Sequence, residues 1–164
     1  MLRLLEERDL GLTLRWRNRD DARCWFKHSD IVDADAHKAW FDRYRAKPDD
    51  FTFLVEHAAT GVPIGQVAIY DVDALGGRAE VGRFLVAPEW AGLGLMKQAC
   101  LAVVDVAAAQ LDLRELYLEV FVANLRAIAV YRACGFAYAD GGDEQLRRMT
   151  LRLAERALRS QNSA

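Results

Sequence analysis

The 164-residue sequence predicts an α/β protein of the α+β kind, with a mixed, mostly antiparallel central sheet of about seven strands flanked by helices. Three observations carry this. Between Phe51 and Ala87, three runs rich in β-formers follow one another across short turns, as in an antiparallel meander. A glycine-bearing turn then opens a long stretch with helical spacing. Beyond it the chain reads strand, helix, strand, strand. The length suits one domain, 1–164, with a helical part at 1–48 ahead of the meander.

The first run, "MLRLLEE", reads as a short strand, and "LGLTLRWRNRDDARCWFKH" mixes helical spacing with many polar residues. Asp33 is a candidate N-cap for "ADAHKAWFDRYRAK", in which Ala36, Trp40 and Tyr44 recur every fourth residue, and Pro48 ends that helix. "FTFLVEH" places Phe51, Phe53 and Val55 on one face; "ATGVP" turns the chain into "IGQVAIYDV", and "LGG" turns it again into "RAEVGRFLVA". From Gly92 onward Met96, Ala99, Cys100, Val103, Ala107 and Leu111 keep helical spacing. "ELYLEVFV" is a strand. Asn124 caps "LRAIAVYRAC", and Gly135 suits the left-handed position just past a helix. "FAYA", a "DGGDE" turn and "QLRRMTLRL" complete a last hairpin, and 160–164 reads as a frayed tail.

Charge and composition exclude several classes of function. Lys and Arg total 22 against 24 for Asp and Glu, so no strong field for nucleic acid or an anionic membrane exists. Cys24, Cys100 and Cys134 are widely spaced, share no metal-ligand spacing with the three histidines, and read as reduced, buried thiols. No bound metal is expected. The N-terminus lacks the apolar core of a signal peptide and no run approaches spanning length, so the expectation is a cytoplasmic protein.

The most informative stretch is "PEWAGLGLMKQA", Pro88 to Ala99. A turn from a strand into a helix offers unpaired N–H groups reinforced by the helix dipole, and Gly92 and Gly94 let a phosphate approach the backbone. The spacing fits neither GxxxxGK[ST] nor GxGxxG, whose third glycine would fall on Lys97. ATP and NAD are poor fits.

A second segment narrows the reading. "VFVANLRAIAVYRACGF" resembles the "N..A..LY...GF" segment of the GNAT superfamily of acyl-CoA N-acyltransferases, and "FLVAPEWAGLGL" lies upstream at a suitable distance. The resemblance covers 79–136 closely and the rest by strand order. It implies a sheet splayed between the fourth and fifth strands, acetyl-CoA as co-substrate, and an acetyl-CoA-binding core at 79–136. The family loop Q/RxxGxG/A falls on Ala91, Gly92, Leu93, Gly94, Leu95 and Met96; Gly94 matches, whereas Ala91 and Met96 depart. Pyrophosphate contacts there would rest on backbone N–H groups, with Lys97 and Arg126 as candidate cations. The resemblance further implies that Leu85 and Val86 offer backbone to pantetheine, that the Val86 N–H polarises the thioester carbonyl, and that Asn124 contacts the pantetheine arm. Tyr131 matches the tyrosine that protonates the departing sulfur. As general base Glu80 comes first, because alternation puts it on the face of Gly82, Phe84 and Val86; Glu119 is second.

The resemblance further implies that the acceptor site is built largely by the first 48 residues. Trp16, Arg17, Asn18, His37 and Trp40 are candidate acceptor contacts, since "WRN" and "AHKAWF" look like GNAT enzymes acting on nucleotide-linked amino sugars, with the ribosomal-protein branch nearby. That amine is the first expectation for the acceptor. A protein N-terminus or a small polyamine is the alternative, with Asp30, Asp33 and Asp35 available to form an acidic groove. A catalytically silent acyl-CoA-binding module is the third. A homodimer is compatible with all three.

Overall fold

The structure is a computed structural model and describes residues 1–153. The expected frayed tail at 160–164 lies outside the described residues. Strand β1 (Leu2–Leu4) leads through a 3-10 turn into helices α1 (Leu10–Arg17), α2 (Asp20–Arg23) and α3 (Ala34–Arg45). The meander follows as β2 (Phe51–Glu56), β3 (Pro63–Asp73) and β4 (Arg78–Val86). Then come α4 (Leu95–Ala109), β5 (Glu115–Phe121), α5 (Leu125–Ala133) and the hairpin β6 (Ala137–Gly142) and β7 (Leu146–Arg152). The strands form one seven-stranded sheet in the order β1-β2-β3-β4-β5-β7-β6.

Local chemistry sets the element ends. Asp33 caps α3 by accepting the Ala36 N–H at 2.7 Å, and Asn124 caps α5 by accepting the Ala127 N–H at 3.1 Å. Gly135 takes the expected left-handed conformation, with φ 98°. The long α4 starts at Leu95 rather than Gly92, because Gly92 (φ 83°) and Gly94 (φ 74°) are themselves left-handed. The polar N-terminal run divides into α1, α2 and a non-helical segment at 24–33. Side chains tie that segment down: Asn18 exchanges two bonds with the Val32 backbone, at 2.7 and 2.9 Å, and Arg23 donates to the Ser29 carbonyl at 2.7 Å.

Two cores cover the two faces of the sheet. Under α4 and α5 lie Val67, Ile69, Ala79, Val81, Leu116, Leu118 and Met149; under α1 and α3 lie Trp16, Phe41, Tyr44, Leu54, Leu85 and Ala87. Both are shielded from water, so the central strands are apolar on both sides and their backbones are fixed by packing as well as by the ladder.

Two irregularities matter for the site. β4 and β5 run parallel, yet they pair only from Arg78↔Glu115 to Glu80↔Tyr117 and then part, although β4 continues to Val86 and β5 to Phe121. This is the expected splay. Opposite β3, the register passes from Ala68↔Gly82 to Gln66↔Leu85, so β4 carries one extra residue, and Arg83 sits there with φ 54°. The extra residue reverses the side-chain phase. Ala79 and Val81 point into the α4–α5 core, whereas Leu85 and Ala87 point into the α1–α3 core.

Candidate active site

A cleft of about 830 Å³ opens where β4 and β5 part. Its walls are β4 from Glu80 to Val86, the end of β5, the glycine turn, the first turns of α5, and the segment from Ala22 to His28.

The phase reversal at Arg83 decides which groups meet. Glu80 and Gly82 lie on the α1–α3 face of the sheet, with Tyr117, Glu119 and Phe121, whose neighbours Leu116, Leu118 and Val120 fill the opposite core. Phe84 packs against the α4–α5 core, and Val86 lies against Leu95, Met96 and Ala99 of α4. The expected shared face of Glu80 with Phe84 and Val86 is therefore corrected: the bulge puts Glu80 on one side of the splay and Phe84 and Val86 on the other.

Glu80 sits at the last paired position before the strands part, and Tyr70 opposite it on β3 donates its hydroxyl to Glu80 Oε1 at 2.6 Å. Burial, and then Glu80 itself, raise the Tyr70 pKa far above that of an ordinary phenol, so this proton stays on Tyr70. Glu119 is engaged differently. Lys27 Nζ donates to its Oε2, and Arg148 Nη2 reaches Oε1 at 3.4 Å. The Lys27 bond is the main reason that the Glu119 carboxyl lies below its ordinary value.

Across the splay, Tyr131 of α5 is 9% exposed and borders the cleft, its ring 5.3 Å from that of Phe84. Burial raises its pKa well above the ordinary phenol value, with Cys100 and Cys134 adding to the shift. It is neutral and carries a proton at physiological pH.

The backbone of β4 also divides. The Ala87 N–H donates to Ile64 O at 2.9 Å on β3, and Leu85 stands opposite Gln66 on that same strand. By the alternation of the ladder, Phe84 and Val86 turn their N–H and C=O groups to the open edge. The Val86 carbonyl does face that edge, where it accepts Arg19 Nη1 at 3.1 Å. The Leu85 backbone, expected at the open edge, is therefore turned to β3, and Phe84 and Val86 line that edge instead.

The glycine turn leaves its backbone exposed. A Cβ on Gly92 or Gly94 would meet nothing within 4 Å, so the surface over these backbones is open. The first N–H groups of α4 have no carbonyl a turn earlier to bond, and they emerge at this place. Ala91, Gly92, Gly94, Met96, Lys97, Asn124 and Arg126 all border the cleft. Leu93 is 62% exposed beside it, and Leu95 packs on the core instead.

The expected acceptor residues fare unevenly. Arg17 borders the cleft, stacked on the Phe26 ring at 4.3 Å, with Nη2 donating to the His28 carbonyl. Trp16, Asn18, His37 and Trp40 do not reach it. Trp16 fills the α1–α3 core, and Asn18 clamps Val32. His37 is buried against Thr13 at 3.2 Å and stacked on Trp40, where burial, and then Arg17, lower its pKa and keep it neutral. The expected acidic groove of Asp30, Asp33 and Asp35 is likewise absent from the cleft lining, whose acids are Asp21, Asp71, Glu80 and Glu119. Cys24 is exposed, unlike the buried Cys100 and Cys134. Tyr70, Arg19, Lys27 and Phe84 escaped the sequence reading. A regular hairpin about the 75–77 turn would pair Tyr70 with Gly82, and the register shift between Tyr70 and Asp73, where Asp71 has φ 51°, brings Tyr70 opposite Glu80 instead; the segment holding Lys27 has no periodicity to reveal it.

An Acetyltransferase (GNAT) domain model matches residues 1–137. The chain belongs to the GNAT acetyltransferase family. Among its relatives, the spermidine N(1)-acetyltransferase of Vibrio cholerae is 26% identical over 135 residues, 82% of this chain and 77% of that protein. The spermidine N(1)-acetyltransferase of Escherichia coli K12 is 29% identical over 137 residues, 83% and 72% of the two chains. The fold of this GNAT chain matches that of the V. cholerae spermidine N-acetyltransferase in complex with CoA and spermine, with a TM-score of 0.85, 24% identity, and 94% and 95% of the chains covered. A mutant form of the V. cholerae enzyme gives a TM-score of 0.80 at 26% identity, with 98% and 99% of the chains covered. This GNAT protein is an N-acetyltransferase that uses acetyl-CoA and acts on amines. The expected nearness to amino sugar and ribosomal-protein acetyltransferases finds no support in these relatives. Among the described residues, no cluster of three or more His, Cys, Asp or Glu suits a metal ion, and no helix is long and apolar enough to cross a membrane.

Proposed function

We propose that this GNAT enzyme acetylates a primary amine of a small polyamine, with Glu80 as general base and Tyr131 as general acid. The observation that carries the acceptor class is the pair Asp71 and Glu80: both border the cleft, and neither has an ion pair among the described residues, whereas Asp21 and Asp50 each have one and Glu119 has two. Uncompensated carboxylates beside the opening attract an ammonium. The spermidine acetyltransferases among the relatives support the same class.

Acetyl-CoA supplies an acyl group activated as a thioester. The residues that would hold it are the backbone of the glycine turn and the first turn of α4 for the pyrophosphate, with Lys97 and Arg126 beside them and the Asn124 amide nitrogen toward the pantetheine arm. Phe84 and Val86 offer N–H groups at the open edge of β4, where the Val86 N–H would stabilise charge developing on the carbonyl oxygen. Glu80, oriented by Tyr70, takes a proton from the acceptor nitrogen, directly or through water, as the N–C bond forms. Tyr131 gives its proton to the departing sulfur. The desolvation that keeps the tyrosine protonated also raises the proton affinity of a thiolate, so the transfer stays close to balanced.

The test is a thiol-release assay with acetyl-CoA and a panel of spermidine, spermine, a basic peptide and an amino sugar nucleotide. Turnover with the polyamines is expected. Turnover with another member of the panel and none with polyamines would refute the acceptor class.

A further inference from the structure

The segment from Cys24 to Asp33 places one amine of the protein itself inside the acceptor cleft. Lys27 borders it and donates from Nζ to Glu119. The placement is held from several sides. Arg17 binds the carbonyl of His28, Arg23 binds that of Ser29, Asn18 binds both polar groups of Val32, and Trp25 lies 6.4 Å from the Phe121 ring on β5. Glu119 shares the face of Glu80, since Glu80 is registered opposite Tyr117 and Glu119 lies two residues further along β5. The negative charges of both Glu119 and Glu80 act on Lys27. An ammonium at this point therefore faces the two carboxylates that an acceptor with two cationic centres would face.

We infer that Lys27 is a specificity-determining residue that occupies, with its own ammonium, the Glu119 subsite for the second cationic nitrogen of the acceptor. The inference rests on the polyamine reading given above and adds the position of the second charge and the residue that competes for it. An acceptor amine at Glu80 leaves its next nitrogen within the splayed half of the cleft, and Glu119 is the carboxylate there. To reach it, that nitrogen must displace Lys27. The exchange is cheap because the pair is open to water: the side chains of Lys27 and Glu119 are 57% and 20% exposed. Arg148, at 3.4 Å from the other carboxylate oxygen, lets Glu119 keep one cation throughout. A monoamine gains nothing from the exchange, so Lys27 narrows the advantage of a polyamine over a monoamine.

The experiment compares wild type, Lys27→Met and Lys27→Arg in steady-state kinetics with spermidine and with propylamine, which has a terminal amine and no second charge. In K27M the ratio of the propylamine KM to the spermidine KM should rise by up to about fivefold, the range of an exposed ion pair, and the kcat values should change far less. K27R, which keeps a cation on Glu119, should hold the wild-type ratio. An unchanged ratio in K27M, or equal shifts for both amines, overturns the inference while leaving the polyamine reading intact. Wild-type turnover of propylamine without turnover of spermidine overturns the polyamine reading and the inference with it.

Discussion

Arg83 links the shape of the splay to the stability of the fold, and replacing it by alanine tests both. Its guanidinium makes a two-pronged pair with Asp50, at 2.6 and 2.8 Å, and Nη1 also reaches Thr52 Oγ1 at 2.9 Å. The Asp50 side chain is only 3% exposed and that of Arg83 23%. Without Arg83, a carboxylate is left in the interior with no counter-charge, a loss of about 3–5 kcal/mol. The cation over the Tyr70 ring at 4.3 Å goes as well. Against a typical stability of about 5–15 kcal/mol for a domain, R83A should be close to unfolding at physiological temperature. Urea denaturation of wild type, R83A, Asp50→Asn and the double variant measures this. A neutral amide needs no counter-charge, so the double variant should lose less than the sum of the two singles, by about 1–3 kcal/mol. Additive losses, or an R83A loss under about 1 kcal/mol, would show that the pair does not hold the bulge in place.

Three further outcomes follow from the site and its surroundings. Tyr131→Phe removes the proposed proton donor and little packing, so kcat should fall by about a hundredfold or more while acetyl-CoA affinity, measured by calorimetry, is retained; a kcat within threefold of wild type would exclude the acid role. Gly94→Ala adds a Cβ that meets nothing in the protein, yet forces alanine into a left-handed conformation, so denaturation should show a loss of about 1–2 kcal/mol together with a raised KM for acetyl-CoA. Asp9 is buried, which alone would raise its pKa, but bonds from Arg3 and from the Glu6 N–H bring it below the ordinary carboxylate value. A depressed folded pKa gives stability that is present above the unfolded pKa of about 4 and lost as pH falls through the folded one; wild type should therefore weaken below that point, and Asp9→Asn should show a flatter acid limb in denaturation at pH 3 to 6.

How much of this was legible in the sequence depended on whether the signal was periodic. The meander, α4, α5 and the caps at Asp33 and Asn124 all read correctly because spacing and cap chemistry are local properties of the chain. Gly92 and Gly94 marked the turn before α4 for the same reason, though the helix starts one turn later than its apolar spacing implied. Arg83 had no such signal. A non-glycine residue with positive φ is fixed by a distant aspartate, Asp50, and its presence in "RAEVGRFLVA" looks like ordinary strand. That one residue misplaced Glu80 relative to Phe84 and Val86, since a single inserted residue exchanges the faces of everything beyond it. Trp16, His37 and Trp40 went astray for another reason: residue types that suit ligand binding also suit a core, and only tertiary packing tells the two apart.

The same bulge bears on the different roles proposed for the two carboxylates. Before Arg83, Glu80 and Gly82 share a face with Tyr117 and Glu119; beyond it, Phe84 and Val86 share the other face with Tyr131 and α4. The splay thus forms a slot through the sheet with carboxylates on one side and the tyrosine on the other. Acyl transfer needs this separation, because the nitrogen must lose its proton on one side of the carbonyl carbon while the sulfur receives one as it leaves. A carboxylate already bonded to Lys27 and Arg148 has its lone pairs engaged and its basicity lowered, which suits Glu119 to holding a charge and not to taking a proton. Among the described residues Glu80 accepts the neutral Tyr70 hydroxyl on one oxygen and has no ion pair, and it stands where the strands begin to part, as the proposed base should. On the proposed reading, base and anchor are therefore distinguished by their partners, and two glutamates that strand alternation treats alike are told apart by Lys27, a residue 92 positions away from Glu119 in the chain.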